Sequence, residues 1–177
     1  ESSESPEQLT TRAAEDREPD WQPLPTLNVV PASNEIYVGE SLTVDLEVED
    51  AVGLYGLQAT CTVDPSILAT QSGTFGSLLG PTPLTGANIT DVGAGTWFGG
   101  ASVQAGDPVF GNGTFATLTY QPLTSGTSNV DCDPLASNRD GFELPIVSVN
   151  STVEVLDYGN IIGTATYQGR TNHAAIE

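Results

Sequence analysis

Leu42-Thr43-Val44-Asp45-Leu46-Glu47-Val48-Glu49 is the stretch on which the fold class turns. Its apolar residues recur at every second position, and acids and threonine fill the places between. On a pleated strand this puts one apolar row on one face and the charges on the other, whereas a helix would scatter both around its axis. The same period returns in Leu57-Ala59-Cys61-Val63, in Ala116-Leu118-Tyr120 set against Phe115-Thr117-Thr119, and in Val147-Val149 with Val153-Val155. Turn clusters separate these runs: Ala32-Ser33-Asn34, Val52-Gly53, Gly111-Asn112-Gly113 and Thr124-Ser125-Gly126. Nineteen glycines and twelve prolines supply the corners. Short strands punctuated in this way, with no helical stripe, predict an all-β antiparallel sandwich.

The chain has 177 residues with 23 Asp+Glu against 4 Lys+Arg, a formal charge of -19. Nucleic-acid binding is excluded, because affinity for a phosphate backbone comes from cations that displace counterions. An anionic membrane surface is excluded for the same reason, and no apolar run is long enough to cross a bilayer. The four basic residues are Arg12, Arg17, Arg139 and Arg170. Without lysine there is no Schiff-base chemistry and no lysine isopeptide crosslink. The sequence begins at Glu1 and lacks methionine, as expected of a fragment or of a processed mature protein, with signal-peptide removal the plainer reading.

Two cysteines, Cys61 and Cys132, occur without a CxxC pair, beside a single histidine, His173. A zinc site does not fit that inventory. One disulfide in an oxidising compartment does, bridging neighbouring strands or the two sheets; two unpaired buried thiols are the competing reading.

Several stretches in order resemble the cohesin domain family. Gly39-Glu40-Ser41-Leu42-Thr43-Val44 resembles an early family strand. Val52-Gly53-Leu54-Tyr55-Gly56-Leu57-Gln58-Ala59, followed by Val63-Asp64-Pro65-Ser66-Ile67-Leu68, is similar to the family's strand and Asp-Pro turn. Gly113-Thr114-Phe115-Ala116-Thr117-Leu118-Thr119-Tyr120 resembles the late strand, and Gly126-Thr127-Ser128 the turn after it. The resemblance implies a nine-stranded jelly-roll sandwich and an extracellular, non-catalytic module that binds dockerin domains or acts in surface assembly. The cysteine pair departs from the best-known members, and no paired calcium loops of a dockerin occur in the chain.

The domain is expected over residues 27–156, between an acidic extension at 1–26 and a strand extension at 157–177. In the first extension Ser5, Pro6 and Gln8 read as a helix start that Pro19 ends, too short to hold without a partner surface. In the second, Ile161, Ile162, Ala165 and Tyr167 are strand-donor candidates, in a run that resembles the first strand of a carboxypeptidase-regulatory-like β-domain. A lone strand leaves backbone donors and acceptors unpaired. Donation of it head to tail builds open filaments. The leading expectation is therefore a secreted or cell-surface fibre subunit, a homopolymer of copies of itself. The alternative is a monomeric module with a dockerin-like or glycan partner.

Enzyme chemistry has little to stand on. A serine or cysteine device needs a histidine, and the single one, His173, lies in a polar tail four residues from the chain end. A carboxylate pair for glycoside cleavage is defined by separation in space, and nothing in the sequence singles out two of the acids. Gly93, Gly95, Gly99 and Gly100 read as turn glycines without the basic residue a phosphate cradle needs. Trp97 and Phe98 are candidates for a sugar-stacking platform, with Trp97 in the sandwich core as the competing reading. Asp131, Asp133, Asn138 and Asp140 form a loose echo of a calcium loop, against which stands a solvated acidic turn; no other cofactor is expected. Asn88, Asn112 and Asn150 stand in Asn-x-Ser/Thr sequons and are candidate glycosylation sites.

Overall fold

A computed structural model describes residues 23–159. The helix expected after Ser5 and the strand expected around Ile161, Ile162, Ala165 and Tyr167 lie outside the described residues. The strands are β1 (Thr26–Pro31), β2 (Glu35–Tyr37), β3 (Leu42–Leu54), β4 (Gly56–Thr62), β5 (Leu68–Phe75), β6 (Leu84–Asp91), β7 (Thr96–Ser102), β8 (Val109–Pro122), β9 (Gly126–Ser137), β10 (Glu143–Leu144), β11 (Val147–Val149) and β12 (Ser151–Leu156). One sheet has the order β11-β1-β3-β8-β5; the other runs β2-β12-β9-β4-β7-β6, with β10 beside β9. The two stack as a sandwich, and no helix occurs among the described residues.

The alternation in β3 does what its sequence demands. Leu42, Val44, Leu46 and Val48 are all buried, and Thr43, Asp45, Glu47 and Glu49 point outward. In β4 the inward row is Leu57, Ala59 and Cys61. Two departures from strict period two have local causes. Phe115 and Ala116 are both buried because β8 slips register against β3 opposite Leu46/Glu47, and a bulge turns two successive side chains inward. Val147 and Val149, expected on the inner face, are about half exposed. They pair with Thr26 and Asn28, whose side chains lie on the outer side of β1.

Not every pairing is antiparallel. The first and last parts of the domain each give one strand to both sheets, so β1 lies parallel to β11 and β2 parallel to β12. Strands so remote in sequence need no hairpin and can meet in either sense. The crossing at the far end is a single residue, Asn150, between β11 and β12.

Trp97 has no exposed surface and packs with Phe75 and Phe115, the ring centroids 6.1 and 6.5 Å away. It is a core residue and not part of a sugar platform. Room for it is made by Gly73 and Gly99, where any Cβ would collide with the indole ring. Cys61 and Cys132 face each other directly across β4 and β9 and form a disulfide, both buried. The bridge therefore joins neighbouring strands of one sheet. The other sheet carries two buried hydroxyls without a protein partner among the described residues, Thr70 Oγ1 and Tyr120 Oη. Burial pushes the Tyr120 phenol well above its ordinary range.

Candidate binding face

The registers of β9, β4, β7 and β6 stack outward-facing residues into four rows. Asp131, Thr62, Thr96 and Asp91 form the first, and Asp133, Thr60, Phe98 and Ile89 the second. Leu135, Gln58, Gly100 and Ala87 make the third; Ser137, Gly56, Ser102 and Leu84 make the fourth. Polarity thus runs along the strands, from an acidic end to an apolar one. At the apolar end lies an open groove of about 320 Å³. Gly56, Gly86 and Gly100 line its floor, and Leu84, Phe98 and Leu135 stand around it. Leu84 and Ile89 keep more than half of their surface exposed, and Leu135 keeps 44%.

Sequence reasoning missed this groove. Gly99 and Gly100, read as turn glycines, sit in the middle of β7. Gly99 faces inward against Trp97, and Gly100 faces outward where a side chain would fill the groove. Gly86 marks a register shift between Thr85 and Ala87, as an isolated strand glycine often does. The available signal was the combination of mid-strand glycines with apolar residues at the wrong parity for the core. Phe98 is the one residue of the expected sugar platform that does reach this face, next in the chain to the buried Trp97.

The acidic residues considered for calcium are not gathered as a loop. Asp131 and Asp133 belong to β9 and face outward in register with Thr62 and Thr60. Asn138 closes the next turn on itself, its Oδ1 accepting from the amides of Asp140 and Phe142 at 3.0 and 2.9 Å. A straight strand at about 3.3 Å per residue separates these two groups. Among the described residues no three His, Cys, Asp or Glu side chains are grouped as metal ligands.

Two further features shape this side of the sandwich. Asp64 Oδ1 accepts from the Ser66 hydroxyl and amide at 2.6 and 2.9 Å, and these bonds hold its carboxyl below the usual carboxylate range. The Asp64 carbonyl in turn receives the amides of Ile67 and Leu68, so Asp64-Pro65-Ser66 starts one tight turn into β5. At the outer edge Tyr37 and Tyr158 stack with centroids 4.6 Å apart, and Tyr158 donates to Glu40.

The cohesin domain model matches residues 27–155. The chain belongs to the cohesin domain family. Cohesin domains are non-catalytic binding modules, and this cohesin is not an enzyme. Solved structures share its fold at low identity. A non-cellulosomal cohesin of the archaeon Archaeoglobus fulgidus superposes with a TM-score of 0.64 at 15% identity, covering 76% of this chain and 92% of that one. A type II cohesin from the cellulosome of Acetivibrio cellulolyticus gives 0.63 at 15%, covering 74% and 95%. A type I cohesin–dockerin complex from Clostridium thermocellum gives 0.63 at 12%, covering 76% and 95%. No curated protein sequence matches the cohesin described here.

Proposed function

We propose that this cohesin is an extracellular or cell-surface interaction module that takes a dockerin-type protein on the outer face of β9, β4, β7 and β6. The observation that carries the reading is the graded face itself. A glycine-floored apolar groove accepts protruding side chains, and Asp131, Asp133 and Asp91 at the other end favour a partner basic there. Apolar anchors set into a pocket and ringed by polar groups are the usual arrangement of binding hot spots. The comparisons support this reading over the homopolymer, since solved relatives are named as cohesin–dockerin complexes.

Calorimetric titration of the purified chain with a panel of dockerins tests it. Binding by at least one, lost on Leu84→Arg and kept on Glu47→Lys, is the expected result. No binding across the panel together with fibres in negative-stain images would favour the homopolymer. Hits on a glycan array without protein binding would favour a carbohydrate ligand.

A further inference from the structure

We infer that Asn112 and Asn150 carry N-linked glycans and that Asn88, in the same sequence motif, does not. Exposure does not separate the three, since all are exposed; their hydrogen bonds do. An acceptor asparagine uses Nδ2 and leaves Oδ1 as it was. The carboxamide nitrogen bonds to C1 of an oligosaccharide carried on a polyprenyl phosphate or diphosphate. The bond from C1 to the phosphate oxygen breaks, the lipid phosphate departs, and one Nδ2 proton is lost to a base of the transferase. A site compatible with the folded domain therefore needs a free nitrogen and tolerates an engaged oxygen.

Asn88 fails that test. Its Nδ2 donates to the Gly73 carbonyl at 2.8 Å, and its Oδ1 accepts the indole N–H of Trp97, also at 2.8 Å. Asn88 belongs to β6 and Gly73 to β5, so this side chain ties the edges of the two sheets while satisfying the donor of a wholly buried ring. A sugar on that nitrogen would be driven into the β5 backbone. If transfer precedes folding, the glycan would oppose closure of the sandwich; if it follows, the nitrogen is already occupied.

Asn112 and Asn150 pass. Asn112 holds the amide of Asp50 through Oδ1 at 3.0 Å, which steadies the left-handed backbone of that residue (φ 54°). Asn150 holds the amide of Cys132 at 2.9 Å and the Ser148 hydroxyl at 2.7 Å, again through Oδ1. Neither Nδ2 has a protein partner among the described residues. The disulfide points to an oxidising compartment beyond a membrane, where oligosaccharide transfer to Asn-x-Ser/Thr also takes place. Neither residue lines the groove; Asn112 belongs to β8 of the other sheet, and Asn150 stands beside β9 near the acidic end of the binding face.

The test is glycopeptide sequencing and intact mass of the protein purified from the cells that make it, with variants that break each motif and spare its asparagine. The wild type should exceed the bare chain by two glycans, at Asn112 and Asn150. Thr114→Val and Thr152→Val should each remove one, and Thr90→Val none. A mass equal to the bare chain, a glycan on Asn88, or an unmodified Asn112 or Asn150 overturns the assignment. Mapping of the wild type decides the matter even where a variant folds poorly.

Discussion

The two sheets of the sandwich bury one core between them but present opposite outer faces. Outside β1, β3 and β8 the registers line up Asn28, Glu47 and Thr114, and Val30, Asp45 and Thr117. Acids and threonines cover the β3 and β8 part of that side, with Thr117 donating to Asp45, while Val30, Val147 and Val149 are exposed at its β1 and β11 edge. Outside β9, β4, β7 and β6, the side chains thin to glycine and apolar residues surround the gap. Each face obeys the same alternation, so period two says which residues leave the core but not what the departing face is for. That difference arises from glycines in strands, which weaken β-propensity and are retained where another surface must approach closely. The sheets also differ inside: the one that carries the groove is pinned by Cys61–Cys132 beneath its acidic end, whereas the other holds the hydroxyls of Thr70 and Tyr120, which have no protein partner among the described residues.

The largest expected effect breaks that internal difference. Replacing both cysteines by alanine opens a loop with a sequence separation of 71. This should cost about 4 kcal/mol by the chain-entropy model, read as a fall in the denaturation midpoint. Hydrogen exchange should rise first in β4 and β9, ahead of β3 and β8. Equal loss of protection in both sheets would mean that the bridge acts only by restricting the unfolded chain, without also holding β4 to β9 locally.

The second test sharpens the external difference. Gly86→Leu places a side chain in open space, where a Cβ meets nothing closer than the Gly100 carbonyl at 3.5 Å. The fold should survive while a bound dockerin is weakened by about tenfold or more, the loss of one hot-spot contact. Glu47→Lys on the other face should change affinity less than about twofold. Equal sensitivity of both faces to these changes would remove the face assignment. Salt separates the partner classes: association with a basic partner slows as ionic strength rises, whereas self-association of so acidic a chain strengthens.

A third expectation concerns the opposite sheet. Tyr120→Phe removes a buried hydroxyl that has no protein partner among the described residues. Stability should hold or rise by up to about 1 kcal/mol, since the cost of burying an unmade hydrogen bond disappears. A loss of more than that in chemical denaturation would show that the phenol is bonded in solution.

Much of the fold was legible because burial and period two are the same fact seen twice. Leu42 to Val48 and Leu57 to Val63 declare their inner face by alternation, and the family's Asp-Pro turn is Asp64 capping its own backbone. Less legible were features set by register. The bulge at Phe115 depends on what β3 places opposite, and the outward turn of Val147 and Val149 depends on a parallel partner more than a hundred residues away. The binding face was hidden for the same reason. Leu84, Phe98 and Leu135 come from three strands, and their convergence over Gly86 and Gly100 exists only after the sheet is assembled. Asn88 reads as a modification motif, yet it serves the indole of Trp97, a partner nine positions on that the motif does not mention.

The smallest expected effect lies at the turn beside the acidic end of the groove-bearing sheet. Bonds from Ser66 lower the Asp64 pKa in the folded protein, so folding favours the ionised carboxylate. A group with a depressed folded pKa contributes stability above its unfolded pKa, near 4 for a free aspartate, and that contribution disappears as pH falls through the folded value. Thermal melts of the wild type and Asp64→Asn should therefore differ most near neutral pH and converge on acidification. The carboxyl is fully exposed, so solvent screens it and the gap should be small. Asn keeps an oxygen that accepts from Ser66, which isolates the charge from the turn geometry. A gap that stays constant from neutral to acid pH would assign the turn's stability to geometry alone and take the charge out of the account.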